Sequence, residues 1–170
     1  MNSYFFNTHY EHPMANTYKK VYLHLVFAVK HRRALLHKDW RGRVFGYLFE
    51  AVNKRGNYSY AVGGYLDHVH IFFDYKGKEL IEDLVREIKK SSNQFIQENN
   101  LSPYKFDWQN GYGLFSEGYL EKDRVIKYIL NQEEHHSKKN SFRAEYLKLL
   151  QDYEIEFKDE YIFEFWDEEW

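Results

Sequence analysis

The sequence predicts an α+β domain built on an antiparallel sheet. Three observations carry this. Apolar residues alternate with period two from Tyr18 to Lys30, as in a strand with one face on a core. Two short β-branched and aromatic runs, Tyr58–Val62 and Val69–Phe73, are separated only by Gly63-Gly64 and Tyr65-Leu66-Asp67, as in an antiparallel pair. Segments of helical period, 39–54 and 78–99, lie between strands.

In the first strand Val21, Leu23, Leu25, Phe27 and Val29 share the core face, and His24 lies on the other. Lys30, Arg32 and Arg33 close it with a basic cluster suited to phosphates. The helix from Asp39 to Lys54 carries Val44, Tyr47, Leu48, Ala51 and Val52 on one stripe and stops at Arg55-Gly56-Asn57. The helix from Lys78 to Asn99 buries Leu80, Ile81, Leu84, Val85, Ile88, Phe95 and Ile96, and Ser102-Pro103 ends the segment. Its Lys89, Lys90, Ser91 and Ser92 read as a solvated face or a phosphate contact, the former preferred. Gly111 and Gly113 permit a bend before a last strand at Tyr112–Ser116. Trp108 and Tyr112 suit base stacking or core packing, the latter preferred for any single ring. Strand, helix, strand, strand, helix, strand is the split βαβ order of ferredoxin-like and RRM-like sheets. That order places two helices on one face and leaves the other face free for a site.

With 170 residues the chain fits one domain, and 44% hydrophobic and 20% aromatic content supply its core. The absence of cysteine excludes disulfides, thiolate metal sites and cysteine nucleophiles. No apolar run approaches a membrane span, and no signal-peptide pattern opens the chain. The net charge of −2 hides a polarity. From Lys19 to Arg55 ten basic residues face two acidic ones; from Asp152 to Trp170 nine acidic residues face one lysine. A basic front can hold phosphates, though a solvated surface gives the same count. The expected division is an arm at 1–17, a domain at 18–150 and an acidic aromatic tail at 151–170, packed as a strand or laid over a basic surface.

Two features carry chemistry. His68 and His70, one residue apart at a strand start, point to one face and form half of a metal site. Two half-buried, hydrogen-bonded histidines fit the same pattern. Lys122 to His136 reads as one helix with Val125, Ile126, Ile129 and Leu130 on its apolar stripe. Tyr128 and Gln132, one turn apart, project together from another side; a surface tyrosine beside a surface glutamine is the plainer reading. A last helix spans Ser141 to Tyr153.

Together these residues resemble the single-tyrosine insertion-sequence transposases of the HUH endonuclease superfamily, REP-associated relatives included. The carrying residues are His24-Leu25-Val26-Phe27 with Lys30 and Arg32, Gly63-Gly64, and Asp67-His68-Val69-His70-Ile71. Trp108-Gln109-x-Gly111-Tyr112-Gly113-x-Phe115-Ser116 and Tyr128-Ile129-x-Asn131-Gln132, followed by His135-His136, complete them. The likeness spans Tyr18 to Leu150. It implies that the third helix carries the catalytic tyrosine, Tyr128, which cleaves and rejoins single-stranded or hairpin DNA through a 5′-phosphotyrosine. It implies one Mg2+ or Mn2+ at His68, His70 and Gln132, with Lys30, Arg32 and Arg33 on DNA. It further implies an intracellular homodimer whose sites are completed between subunits. The absence of a nucleotide-binding glycine loop agrees, since a phosphotyrosine retains the bond energy. A relative that processes repeated hairpins or starts replication is the near alternative. A non-catalytic nucleic-acid-binding module is the distant one, but it has no use for His68, His70, Tyr128 and Gln132 together.

Overall fold

Alternation along the first strand decides the layers. Leu23, Leu25 and Phe27 meet Val69, Ile71 and Phe73 of the neighbouring strand, and with Leu48, Val52, Leu84 and Ile88 they form one buried core. The computed structural model describes residues 18–31, 33, 35–137 and 141–166. Its order is β1 (Tyr22–Ala28), α1 (Lys38–Lys54), β2 (Tyr58–Gly64), β3 (His68–Asp74), α2 (Ile81–Glu98) and β4 (Gly113–Glu117). Then follow α3 (Lys122–Leu130), α4 (Gln132–Ser137) and α5 (Phe142–Asp152). The sheet runs β2-β3-β1-β4 with every pair antiparallel, the arrangement expected of two split βαβ units. The expected arm at 1–17 and residues 167–170 of the tail lie outside the described residues.

The second face of the sheet is not left open. Val125 and Ile129 of α3 pack on Tyr22, Ala61 and Phe72 in a separate cluster, and Phe142 and Tyr146 of α5 are buried as well. Every residue of β1 and β3 is accordingly buried. Two rows of apolar side chains on one strand call for two covering layers, and the strand's own alternation hides the second because His24, His68 and His70 interrupt it.

Several local expectations change. The predicted helix from Lys122 to His136 is divided at Asn131, which has φ −97° and ψ 16°. Hydrogen bonds from Asn131 N to Lys127 O and from His135 N to Asn131 O bridge the division. Leu130, assigned to the apolar stripe, is 63% exposed, while Val125 and Ile129 are buried against Tyr22, Ala61 and Phe72 with Ile126 partly buried beside them. Lys89 is not solvated: its Nζ donates to Gln109 O at 2.9 Å and also to Gly111 O, over the Phe27 ring. Burial lowers its pKa to about 8. Trp108 is core, its Nε1 donating to buried Ser92 Oγ at 2.9 Å. The tail forms no strand among the described residues. Phe163 packs on Phe142 and Tyr146, and Gln109 bonds both backbone groups of Glu164 at 2.7 and 2.8 Å.

Close approach of α3 to the sheet depends on Gly63. A Cβ there would stand 2.2 Å from Ile129 O, a backbone atom that no rotamer can move. Gly63→Ala is therefore expected to lift α3 and cost about 1–3 kcal/mol in urea unfolding. Wild-type stability in that variant would show that α3 does not bear on β2 at this point.

Candidate active site

Register assembles the site. Val26 lies opposite His70 and Ala28 opposite His68, so both imidazoles rise from the sheet face that α3, α4 and α5 cover. Three residues, Tyr65 to Asp67, join β2 to β3, and Asp67 lies buried beside His68. Asp67 Oδ1 holds His68 Nδ1 at 2.8 Å, which leaves Nε2 facing the covering helices. From β1, on the same face, His24 Nε2 meets His70 Nδ1 at 2.9 Å.

The helices bring the partners. On α3 and α4, Tyr128 and Gln132 project to one place, as their spacing predicts. Glu133, next in the chain, is tied to Lys38 and to Arg41 of α1, the latter at 2.9 Å, which fixes the rotation of α4. Ser141 caps α5 by accepting from Ala144 N at 3.1 Å. Phe142 then stacks on His68, with centroids 4.1 Å apart and an interplanar angle of 5°. These two contacts aim Glu145, in the first turn of α5, at the centre.

Everything converges on the Glu145 carboxylate. Oε1 accepts from Gln132 Nε2 at 2.8 Å and from the Tyr128 hydroxyl, and stands 3.4 Å from His70 Nε2. Oε2 lies 3.1 Å from His136 Nε2 and 3.5 Å from His68 Nε2. Gln132 Oε1 reaches His68 Nε2 at 3.1 Å and His136 Nε2 at 3.0 Å. His68, His70 and Gln132 are at most 1% exposed.

Burial drives His70 down to about 3, so it is a neutral imidazole. Burial acts against charge on His68 too, but Asp67 and Glu145 outweigh it and raise its pKa. For Glu145 burial alone would favour the acid; His70, His136 and His68 reverse this and hold it well below the usual carboxylate range. The Tyr128 phenol is pushed up, first by burial and then by Glu145, so it keeps its proton at neutral pH. A cavity of about 390 Å³ opens beside Tyr128, bordered by His24, Arg124, Lys148 and Tyr153.

The structure brings His68, His70, Tyr128 and Gln132, each named from the sequence, together within one chain. Lys30 and Arg33 lie elsewhere, at the end of β1 that carries Ala28. There they border a shallow cavity with Lys105, Tyr104 and Trp166. Arg32 lies outside the described residues. Sequence reasoning missed Glu145, and named His136 without a role. No spacing rule links Glu145 to the histidines; the only signal was an acidic residue four positions after a capping serine.

A family model described as IS200-like transposase matches residues 17–132. Among curated proteins none matches the sequence. Two solved structures share the fold. A presumed transposase from Deinococcus radiodurans has 20% identity and a TM-score of 0.55, over 69% of this chain and 94% of that one. A REP-associated tyrosine transposase, solved bound to a REP hairpin, has 19% identity and a TM-score of 0.52, over 71% of each chain. The matched segment runs from before β1 through Gln132, and so holds the histidine pair, the tyrosine and the amide at the centre of the site; the chain belongs to the IS200-like transposase family.

Proposed function

We propose that this transposase cleaves and rejoins single-stranded or hairpin DNA, with Tyr128 as nucleophile and one divalent metal ion. One observation carries the reading: the Tyr128 hydroxyl, two strand imidazoles and the Gln132 amide converge on a single buried carboxylate.

The donor set fits a metal. His70 Nε2 is buried without a hydrogen-bond partner, in a site where such a nitrogen is costly unless something binds it. Donor atoms of His68, His136 and Glu145 lie within 4.8 Å of one another. His68, His70 and Gln132 are the assigned ligands, and His136 and Glu145 stand close enough to add to them. Imidazoles favour Mn2+ over Mg2+, and Zn2+ would also be held. When bound, the ion supplies a Lewis acid that polarises and orients the scissile phosphate.

The residues divide the remaining work. Glu145 Oε1 takes the phenolic proton as Tyr128 Oη bonds to phosphorus. The P–O3′ bond breaks, and the leaving oxygen takes a proton from solvent to become a 3′-hydroxyl. The strand stays attached as a 5′-phosphotyrosine, and rejoining runs the same steps in reverse without ATP. Lys30, Arg32 and Arg33 take the backbone phosphates, with the Tyr104 and Trp166 rings beside Lys30 and Arg33 to stack on unpaired bases. Hairpin DNA is the substrate we favour, because a REP hairpin occupies the related tyrosine transposase.

Incubation with labelled single-stranded DNA and Mn2+ tests the reading. Wild type should form a covalent adduct, and Tyr128→Phe should fold, bind DNA and form none. Family resemblance implies dimers that share sites, yet one chain here supplies every group. Mixing Tyr128→Phe with His68→Ala is therefore expected to restore no adduct; restored adduct would mean completion between subunits. Glu145→Gln keeps the shape but loses the proton acceptor. It should lower adduct formation by about 10²–10⁴-fold and stability by about 1–3 kcal/mol. Binding should weaken with salt, with a log–log slope of about −0.7 per phosphate on single strands. Replacing Lys30 and Arg33 by alanine should flatten that slope by about 0.7 for each lost contact; an unchanged slope would move the DNA path elsewhere.

A further inference from the structure

Three buried side chains outside and inside the ligand set form a line across the sheet. Glu117 of β4 lies opposite Tyr22, His24 follows two residues along β1, and His70 of β3 lies opposite Val26. The register therefore sets Glu117, His24 and His70 diagonally over three adjacent strands on one face. His24 Nε2 stands 2.9 Å from His70 Nδ1, and His24 Nδ1 stands 3.6 Å from Glu117 Oε1. The Phe115 and Tyr128 rings close the sides of His24, which is 1% exposed.

A neutral imidazole carries one N–H, so a 2.9 Å contact between two of them needs one donor and one acceptor. Two arrangements exist. In the first, His70 Nδ1–H donates to His24 Nε2, and the His24 hydrogen sits on Nδ1, toward Glu117. His70 then presents a bare Nε2 to the centre of the site. In the second, His24 donates from Nε2, and its Nδ1 lone pair faces the Glu117 carboxylate. That places like partial charges together, which is unfavourable. A bare His70 Nε2 meets the same repulsion from Glu145 Oε1, 3.4 Å away, until a cation stands between them; with a cation bound there, Glu117 favours the first arrangement. Burial opposes its charge, but His24, Tyr153 and Arg124 keep Glu117 below the ordinary carboxylate range.

We propose that Glu117 and His24 form a positioning relay that fixes the His70 tautomer with Nε2 free for a divalent cation. The proposal rests on the metal reading above. His68 reaches the same end in one step, because Asp67 Oδ1 holds its Nδ1 at 2.8 Å. The two ligand histidines are thus oriented by acceptors on opposite flanks: the β2–β3 turn for His68 and β4, through β1, for His70. Groups that orient a ligand histidine typically govern metal affinity by 10–100-fold.

Mn2+ affinity, read by electron paramagnetic resonance of the free ion, provides the test. His24→Phe keeps a ring and removes both nitrogens, and should weaken binding by about 10–100-fold. His24→Gln restores an acceptor for His70 Nδ1 and should recover most of the loss. Glu117→Gln should weaken binding as well. Adduct formation by His24→Phe should return at saturating Mn2+, since His24 itself neither ligates nor touches the phosphate. In wild type loaded with Zn2+, long-range ¹H–¹⁵N spectra should place the hydrogens of His24 and His70 on Nδ1. Unchanged Mn2+ affinity in His24→Phe, or a hydrogen on His24 Nε2, would overturn the relay. The spectra decide the matter even if His24→Phe does not fold. His70→Ala separates the two readings. If it alone loses Mn2+, the relay fails and the metal site stands; if it too binds as wild type does, the metal site itself is wrong.

Discussion

Glu145 carries a negative charge at 7% exposure, and the second layer of the protein is arranged to make that tolerable. An isolated carboxylate in an apolar interior costs far more than a domain's net stability. Here the cost is offset by donors from α3 and α4 and by the imidazoles of β3. None of these contacts is local in sequence. Docking of α5, the turn at Asn131 and the rotation of α4 set by Glu133 all serve one small volume. Removing any donor leaves part of a buried charge unanswered, so the three helices and the histidine strand form one electrostatic unit.

The two faces of the sheet divide the labour. Beneath α1 and α2 the packing is apolar, with Leu25, Phe27, Ile71 and Phe73 at its middle. Beneath α3 and α5 the same strands present His24, His68 and His70, between apolar packing at Tyr22, Ala61 and Phe72 and a second group at Phe142, Tyr146 and Phe163. The polar face borrows rigidity from the apolar one, because β1 and β3 are central strands bonded on both sides. A site raised on such strands holds its geometry better than one raised on loops.

Strand order, the pairing of His68 with His70 and the joint projection of Tyr128 and Gln132 were legible because each follows from a period. What the sequence could not show follows from contacts without one. Glu145 looks like an ordinary first-turn acid after Ser141, favourable to the helix dipole and nothing more. Lys89 sits among charged neighbours on α2, and only the fold reveals carbonyls of Gln109 and Gly111 above it. His24 was a lone strand histidine until β3 and β4 were placed beside it. The covering of the second face was hidden for the same reason: polar residues that serve a buried site read, in one dimension, as residues that face water.

Glycine occurs at both ends of the row that contains His70. Gly63 of β2 lies opposite His70, and Gly113 of β4 lies opposite Val26. An added Cβ would meet Ile129 O at the first position and the Tyr146 ring, at 2.8 Å, at the second. The covering helices therefore rest on bare main chain along this line. Main chain has no rotamers, so the gap between α3 and the sheet cannot be adjusted by side-chain hopping as an ordinary core gap can. The freedom left to the Tyr128 side chain, which α3 carries, is then its own χ1 and χ2.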